Sequence, residues 1–167
     1  MQKGQYFDAI LRSPKTVFTF RDVALLWGEP GTQVVRVRLN YYVNCGRLYR
    51  VRRGIYARDK NYNRLELATR IHTPSYVTFE TILAREGFIF QFHAPISLAS
   101  YLTREVEVDG QAFSFRKIKT PVLTNPLGVE NRDETSLATR ERAFLDTLYI
   151  HNDYHFDNLN GLDWKKV

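Results

Sequence analysis

The stretch Gly46-Arg47-Leu48-Tyr49-Arg50-Val51-Arg52-Arg53-Gly54-Ile55-Tyr56 sets arginines on the polar positions of an apolar alternation and then meets a glycine. A period of two predicts a strand with one face in the core and a cationic face outside, and Arg52-Arg53-Gly54 predicts a turn into a second strand. Just upstream the period changes. At 100° per residue, Val35, Leu39, Tyr42 and Val43 share one face of a helix over residues 33–44 with Thr32 as its cap, while Gln33, Arg36, Val37, Asn40 and Asn44 cluster on the other face. Asn44-Cys45-Gly46 supplies the exit, because Asn and Gly adopt the left-handed conformation beyond a helix end.

Further back, Tyr6, Phe7, Ile10 and Leu11 recur at helical spacing and predict a helix over residues 5–12, stopped near Ser13-Pro14. Residues 16–19 read as a short extended piece. Thr19 then caps a helix over residues 20–27, with Asp22 as the acid of a capping box and Val23, Ala24 and Trp27 inward. Gly28-Glu29-Pro30-Gly31 is a tight turn. Three helices followed by a hairpin is the order of a winged helix-turn-helix, which predicts a first domain over residues 1–60 with a polar boundary at 57–62.

Residues 62–167 read as a mixed α/β second domain, making the whole chain α+β. Leu65, Leu67, Ala68 and Ile71 predict a helix ended by Thr73-Pro74; residues 76–77 are extended; Thr78 lies near the cap of a helix over 79–86, with Gly87 after it. Residues 95–99 predict a strand. Residues 106–108 and 112–118 predict a hairpin, since Asp109-Gly110 is a favoured two-residue turn pair. Residues 119–136, with two prolines, read as loop or edge strand. A helix over 139–150 is expected to turn Ala143, Phe144, Leu148 and Tyr149 inward and Arg140, Glu141 and Asp146 outward. The tail 154–167 is aromatic but aperiodic, and either packs on the second domain or stops short of a natural boundary.

Charge follows the same division. Residues 1–60 carry twelve Lys or Arg against four Asp or Glu, whereas residues 61–167 carry twelve against fourteen. A polyanion is the expected partner of so concentrated a positive field. Arg pairs two edge groups of guanine and Asn or Gln those of adenine, so Gln33, Arg36 and Asn40, three or four residues apart on the outward stripe, are the candidate base contacts. Thr32, the first-turn amides and Arg38 are candidates for phosphate. Arg47, Arg50, Arg52 and Arg53 are candidates for phosphate or a narrow minor groove, and Lys3, Arg12, Lys15 and Arg21 extend the patch. Gly54 and Tyr56 are read as structural, and duplex DNA is favoured over RNA because the tyrosines form no open stacking platform.

Enzyme chemistry finds little support. Glu105 and Glu107 share a strand face, with Asp109 in the turn, and read as a solvated edge. His151 and His155 would align only if their helix continued through Asn152-Asp153, and Cys45 has no local His. No phosphate-binding glycine motif, HExxH motif or nucleophile elbow occurs, so neither a cofactor, a metal nor catalysis is expected. A single cysteine and the lack of an apolar leader or a run of ~18 apolar residues predict a cytoplasmic protein without membrane contact.

Residues 35–56, residues 74–83 with Gly87-Phe88-Ile89, and Ala138-Thr139-Arg140-Glu141-Arg142-Ala143-Phe144-Leu145-Asp146 together resemble the AbiEi family of type IV antitoxins, which are also transcriptional regulators. The resemblance implies a winged helix that binds inverted repeats in its own promoter and a C-terminal antitoxin domain whose partner is a nucleotidyltransferase-like toxin. It carries Arg36, Arg38, Asn40, Arg47, Arg50, Arg52 and Arg53 as interface candidates. A homodimer, or cooperative monomers on repeated half-sites, would both fit such an operator. The alternatives are a non-catalytic interaction module whose basic face binds a protein, and a small RNA-processing enzyme.

Overall fold

The computed structural model describes residues 5–29, 31–91 and 93–167; Lys3 of the expected basic patch and Pro30 of the expected turn lie outside them. The fold is mixed α/β, with several helices and two sheets. The first part of the chain forms α1 (Gln5–Arg12), β1 (Val17–Thr19), α2 (Phe20–Trp27), α3 (Thr32–Asn44), β2 (Tyr49–Arg52) and β3 (Ile55–Ala57). Thr19 and Asp22 make the expected reciprocal capping box, and Gly28 closes α2 at φ 62°, where a side chain would be strained. Thr32 is not the cap of α3. It is the first helical residue, and Gly31 holds the extended cap conformation without any side-chain hydrogen bond.

Tyr6, Ile10, Phe18, Val23, Trp27, Val35, Leu39, Tyr42, Leu48 and Tyr56 pack as one apolar cluster, in which the Trp27 indole N–H donates to the Tyr6 carbonyl at 2.7 Å. The extended piece at 16–19 becomes a full strand: β1 pairs antiparallel with β3, giving a sheet in the order β1-β3-β2.

The second part forms α4 (Arg64–Ile71), β4 (Ser75–Val77), α5 (Glu80–Arg85), β5 (Ile96–Ser100), β6 (Arg104–Val108), β7 (Gln111–Lys117), α6 (Thr120–Leu123), β8 (Val129–Arg132), β9 (Thr135–Ala138) and α7 (Arg140–Ile150). Its strands lie in the order β6-β7-β5-β4-β9-β8, parallel at β5–β7 and β4–β9 and antiparallel elsewhere. Asp109 and Gly110 take φ 50° and 72°, as the two-residue turn between β6 and β7 requires. Segment 119–136 supplies the expected edge strand as β8, but it also holds α6 and a second tight hairpin, which the sequence does not announce. That hairpin turns on Asp133-Glu134, both left-handed without a glycine, and it places β9 inside the sheet. Thr78 lies next to the cap of α5, which is Phe79 at φ 54°, and its buried hydroxyl donates to Asp146 at 2.9 Å.

Helix α7 is rotated from the expected phase. Asp146 is buried at 2% exposure, whereas Leu148 and Tyr149 stand out at 38% and 44%. The cause is a polar network, not an apolar stripe. Arg142 donates through Nε to Asp146 at 2.9 Å, through Nη2 to the Tyr76 hydroxyl and the Val122 carbonyl, and through Nη1 to the carbonyls of Leu127 and Asn125. Tyr76 in turn donates to the second Asp146 oxygen at 2.9 Å. Such a charge pair is tolerable in the interior only when its donors and acceptors are met, and that requirement sets the helix rotation. The tail packs back, with Leu162 buried, Phe156 against Phe144 at 4.9 Å and the Asp157 amide donating to Phe88.

The small sheet is covered on both sides. Phe18 and Tyr56 face the helices, while Val17, Val51, Ile55 and Ala57 belong to the apolar cluster of the larger sheet. Polar contacts reinforce that seam, with the Thr16 amide and hydroxyl donating to buried Glu66 at 2.9 and 2.6 Å, while Arg58 ties the end of β3 back to the carbonyls of Leu11 and Lys15. The hydroxyls of Tyr49 and Tyr62 donate to the two oxygens of Asp109 at 2.9 and 2.7 Å. Tyr62→Phe removes one of these bonds and is expected to cost about 1 kcal/mol in urea unfolding.

His72 lies edge-on to Phe115 at 4.8 Å, and its Nε2 is buried without a hydrogen-bond partner among the described residues. Burial, with the positive charges of Arg104 and Arg52, holds its pKa below the ordinary value of 6.5. The unfolded chain therefore binds the proton more readily than the native one. Stability from this group is present above about pH 6.5 and declines as pH falls toward the depressed native value. The urea midpoint should drop between pH 7.5 and 5.5, and His72→Phe should reduce that drop.

Candidate nucleic-acid interface

Full burial of Val35 and Leu39 fixes the rotation of α3, leaving Gln33, Arg36, Val37, Asn40 and Asn44 exposed on the opposite side. The hairpin is held beside that side. The Phe20 amide at the start of α2 donates to the Gly54 carbonyl in the turn at 3.0 Å, and Arg50 donates from Nη2 to the Asn40 side-chain oxygen. Arg50 also stands 5.9 Å over the Tyr56 ring. Phe20, Arg36, Asn40, Arg50, Arg53, Gly54 and Tyr56 line one open depression of about 650 Å³.

The remaining candidates are distributed around this depression. Thr32 and Gln33 are exposed at the start of α3. Arg47 is exposed near α1, with its guanidinium 5.7 Å from the Phe7 ring. Arg52 follows a register shift in β2 and is exposed, but it does not line the depression. Arg38 is drawn away from the outward stripe. It pairs with Glu29 at 3.0 Å and lies 3.7 Å over the Tyr6 ring. The Tyr6 hydroxyl and Arg38 together hold the Glu29 carboxyl below its usual range.

Pairing state separates the cations further. Lys15 is bound to Asp22 at 2.7 Å, while Arg12 and Arg21 remain exposed. Among the described residues no carboxylate lies within ion-pair distance of Arg36, Arg47, Arg50, Arg52 or Arg53. Unpaired arginines on one surface repel one another and gain most from an external anion. Phe20 is not legible in the sequence as part of this surface, because its position depends on the hairpin turn reaching back to α2.

The groups that could have carried catalysis are dispersed. Glu105 and Glu107 are exposed, while both Asp109 oxygens are taken by tyrosines. Helix α7 ends at Ile150, before His151, and Cys45 is exposed at the end of α3. Among the described residues no group of three or more His, Cys, Asp or Glu side chains is arranged to hold a metal, and no helix is long and apolar enough to cross a membrane. No family model matches the chain, and no curated protein matches it.

Proposed function

We propose that this chain is a sequence-specific DNA-binding transcriptional repressor in which α1 to α3 and the β2–β3 hairpin act as a winged helix-turn-helix. The observation that carries this reading is the shared surface of α3 and the hairpin: Arg36 and Asn40 from one, Arg50 and Arg53 from the other, joined by the Asn40–Arg50 hydrogen bond. An α-helix fits the major groove, and a flanking cationic hairpin would meet the adjacent backbone. Recognition is an equilibrium, with no bond made or broken. Through its resemblance to the AbiEi family, the chain is further proposed to be the autoregulating antitoxin of a type IV module, with the residues beyond 62 serving a nucleotidyltransferase-like toxin and the operator carrying repeated half-sites. Binding as a homodimer or as cooperative monomers agrees equally with such an operator.

Electrophoretic shift of the chain's own upstream duplex, against a scrambled duplex of equal length over a salt series, tests the regulatory reading. Preference for the upstream sequence with an affinity that falls steeply with salt is the expected result. Equal binding to both duplexes at moderate salt would remove it. A second reading, a non-catalytic module whose basic face binds a protein, draws on the exposed apolar side chains Val34, Val37 and Tyr41 on α3. It predicts no duplex preference.

A further inference from the structure

Three large apolar residues stand exposed on the most basic surface of the molecule: Val34 at 42%, Val37 at 58% and Tyr41 at 57%. They recur at i, i+3 and i+7, and therefore form a continuous stripe along α3. The stripe lies on the flank of the outward face away from the hairpin, while Arg36 and Asn40 occupy the flank toward it. Arg38, beside the stripe, is paired with Glu29, but Arg36, Arg50 and Arg53 on the adjoining flank have no carboxylate partners among the described residues and select a polyanion as the occupant of the whole face.

We infer that the Val34, Val37 and Tyr41 stripe reads thymine C5-methyl groups in the major groove, so that the preferred duplex carries thymines next to the base pair contacted by Arg36. The inference rests on the DNA-binding reading above and adds its apolar half. The major groove is the one surface of duplex DNA on which a methyl group marks the base, and thymine is the only standard base that carries it. Val37 is central, being the residue most nearly opposite the buried Val35 and Leu39. Its two methyl groups make no contribution to the protein core, so contact with a thymine methyl removes water from apolar surface on both partners. Tyr41 adds a ring edge-on to Tyr42, at 5.5 Å.

The test uses the full chain and two versions of its upstream duplex, one natural and one with every thymine replaced by deoxyuridine. This exchange removes only the methyl group and leaves the base pairing in place. Each methyl buried against the stripe is expected to contribute about a fourfold change in affinity. The uracil duplex should thus bind several-fold to more than tenfold more weakly, at one salt concentration. Val37→Ala should weaken binding to the thymine duplex and shrink the thymine-to-uracil ratio; alanine is the better helix former, so folding is not at risk. Selective duplex binding with equal affinity for both versions would overturn this inference while leaving the DNA-binding reading intact. An unchanged ratio in Val37→Ala would overturn it by moving the methyl contact to other residues, and a change in oligomeric state by sedimentation in that variant would overturn it in favour of a protein contact. Absence of any duplex preference would instead defeat the DNA-binding reading on which it stands.

Discussion

Arg142→Ala is expected to destabilise the protein by about 3–5 kcal/mol, read as a large fall in the urea midpoint, because it strands the Asp146 carboxylate in the interior without its cation. Asp146 is 2% exposed and would keep only the hydroxyls of Tyr76 and Thr78. The same substitution frees the carbonyls of Val122, Leu127 and Asn125, which close the loop ahead of β8. Asp146→Ala should be nearly as damaging, for the complementary reason. Combining Arg142→Met with Asp146→Leu should recover part of the loss, since the pair avoids the burial of charge while the Tyr76 and Thr78 hydroxyls and three carbonyls still lose their partners. A double variant as unstable as the worse single one would contradict this account. Gly128 belongs to the same construction: a Cβ there would lie 2.8 Å from the Cβ of Arg142, and its φ of +71° already excludes most side chains.

The largest functional effect is expected where α3 meets the hairpin. Under the proposed DNA-binding role, Arg50→Ala and Arg53→Ala together should lower the slope of log affinity against log salt by about two, one for each phosphate that the variant no longer neutralises. Arg36→Ala should act differently, costing about 1–3 kcal/mol on the preferred duplex and relaxing specificity at one base pair while leaving scrambled-duplex binding much less affected. Asn40 is poised between these roles, since its side-chain oxygen already accepts from Arg50. Asn40→Ala should therefore loosen Arg50 as well as any bond to a base, and its effect should not add to that of Arg50→Ala. Titration of the four variants against both duplexes at several salt concentrations separates the contributions. Equal losses on preferred and scrambled DNA for Arg36→Ala would remove its assignment to a base.

Much of the local structure is readable in the sequence where one residue type has one dominant use. Thr19 with Asp22, Gly28 after Trp27, and Asp109-Gly110 between alternating strands each predict a boundary that occurs. The failures share a different cause, which is dependence on distant partners. Asp133-Glu134 makes a hairpin turn with no glycine to announce it, and β9 is stabilised by pairing with β4, far away in the chain. The phase of α7 escapes the periodicity because charge alone would put Asp146 outside, whereas Arg142, Tyr76 and Thr78 make its burial tolerable. Arg38 reads as an outward cation until Glu29 and Tyr6 are brought against it. The outward stripe of α3 is legible because burial of Val35 and Leu39 depends only on helical period.

Strand β3 is three residues long, and Ile55, Tyr56 and Ala57 are all buried, from opposite directions. A fragment severed near residue 60 would leave Val17, Val51, Ile55 and Ala57 wet, a heavy exposure for a unit of that size. The head and the larger sheet thus share one apolar seam.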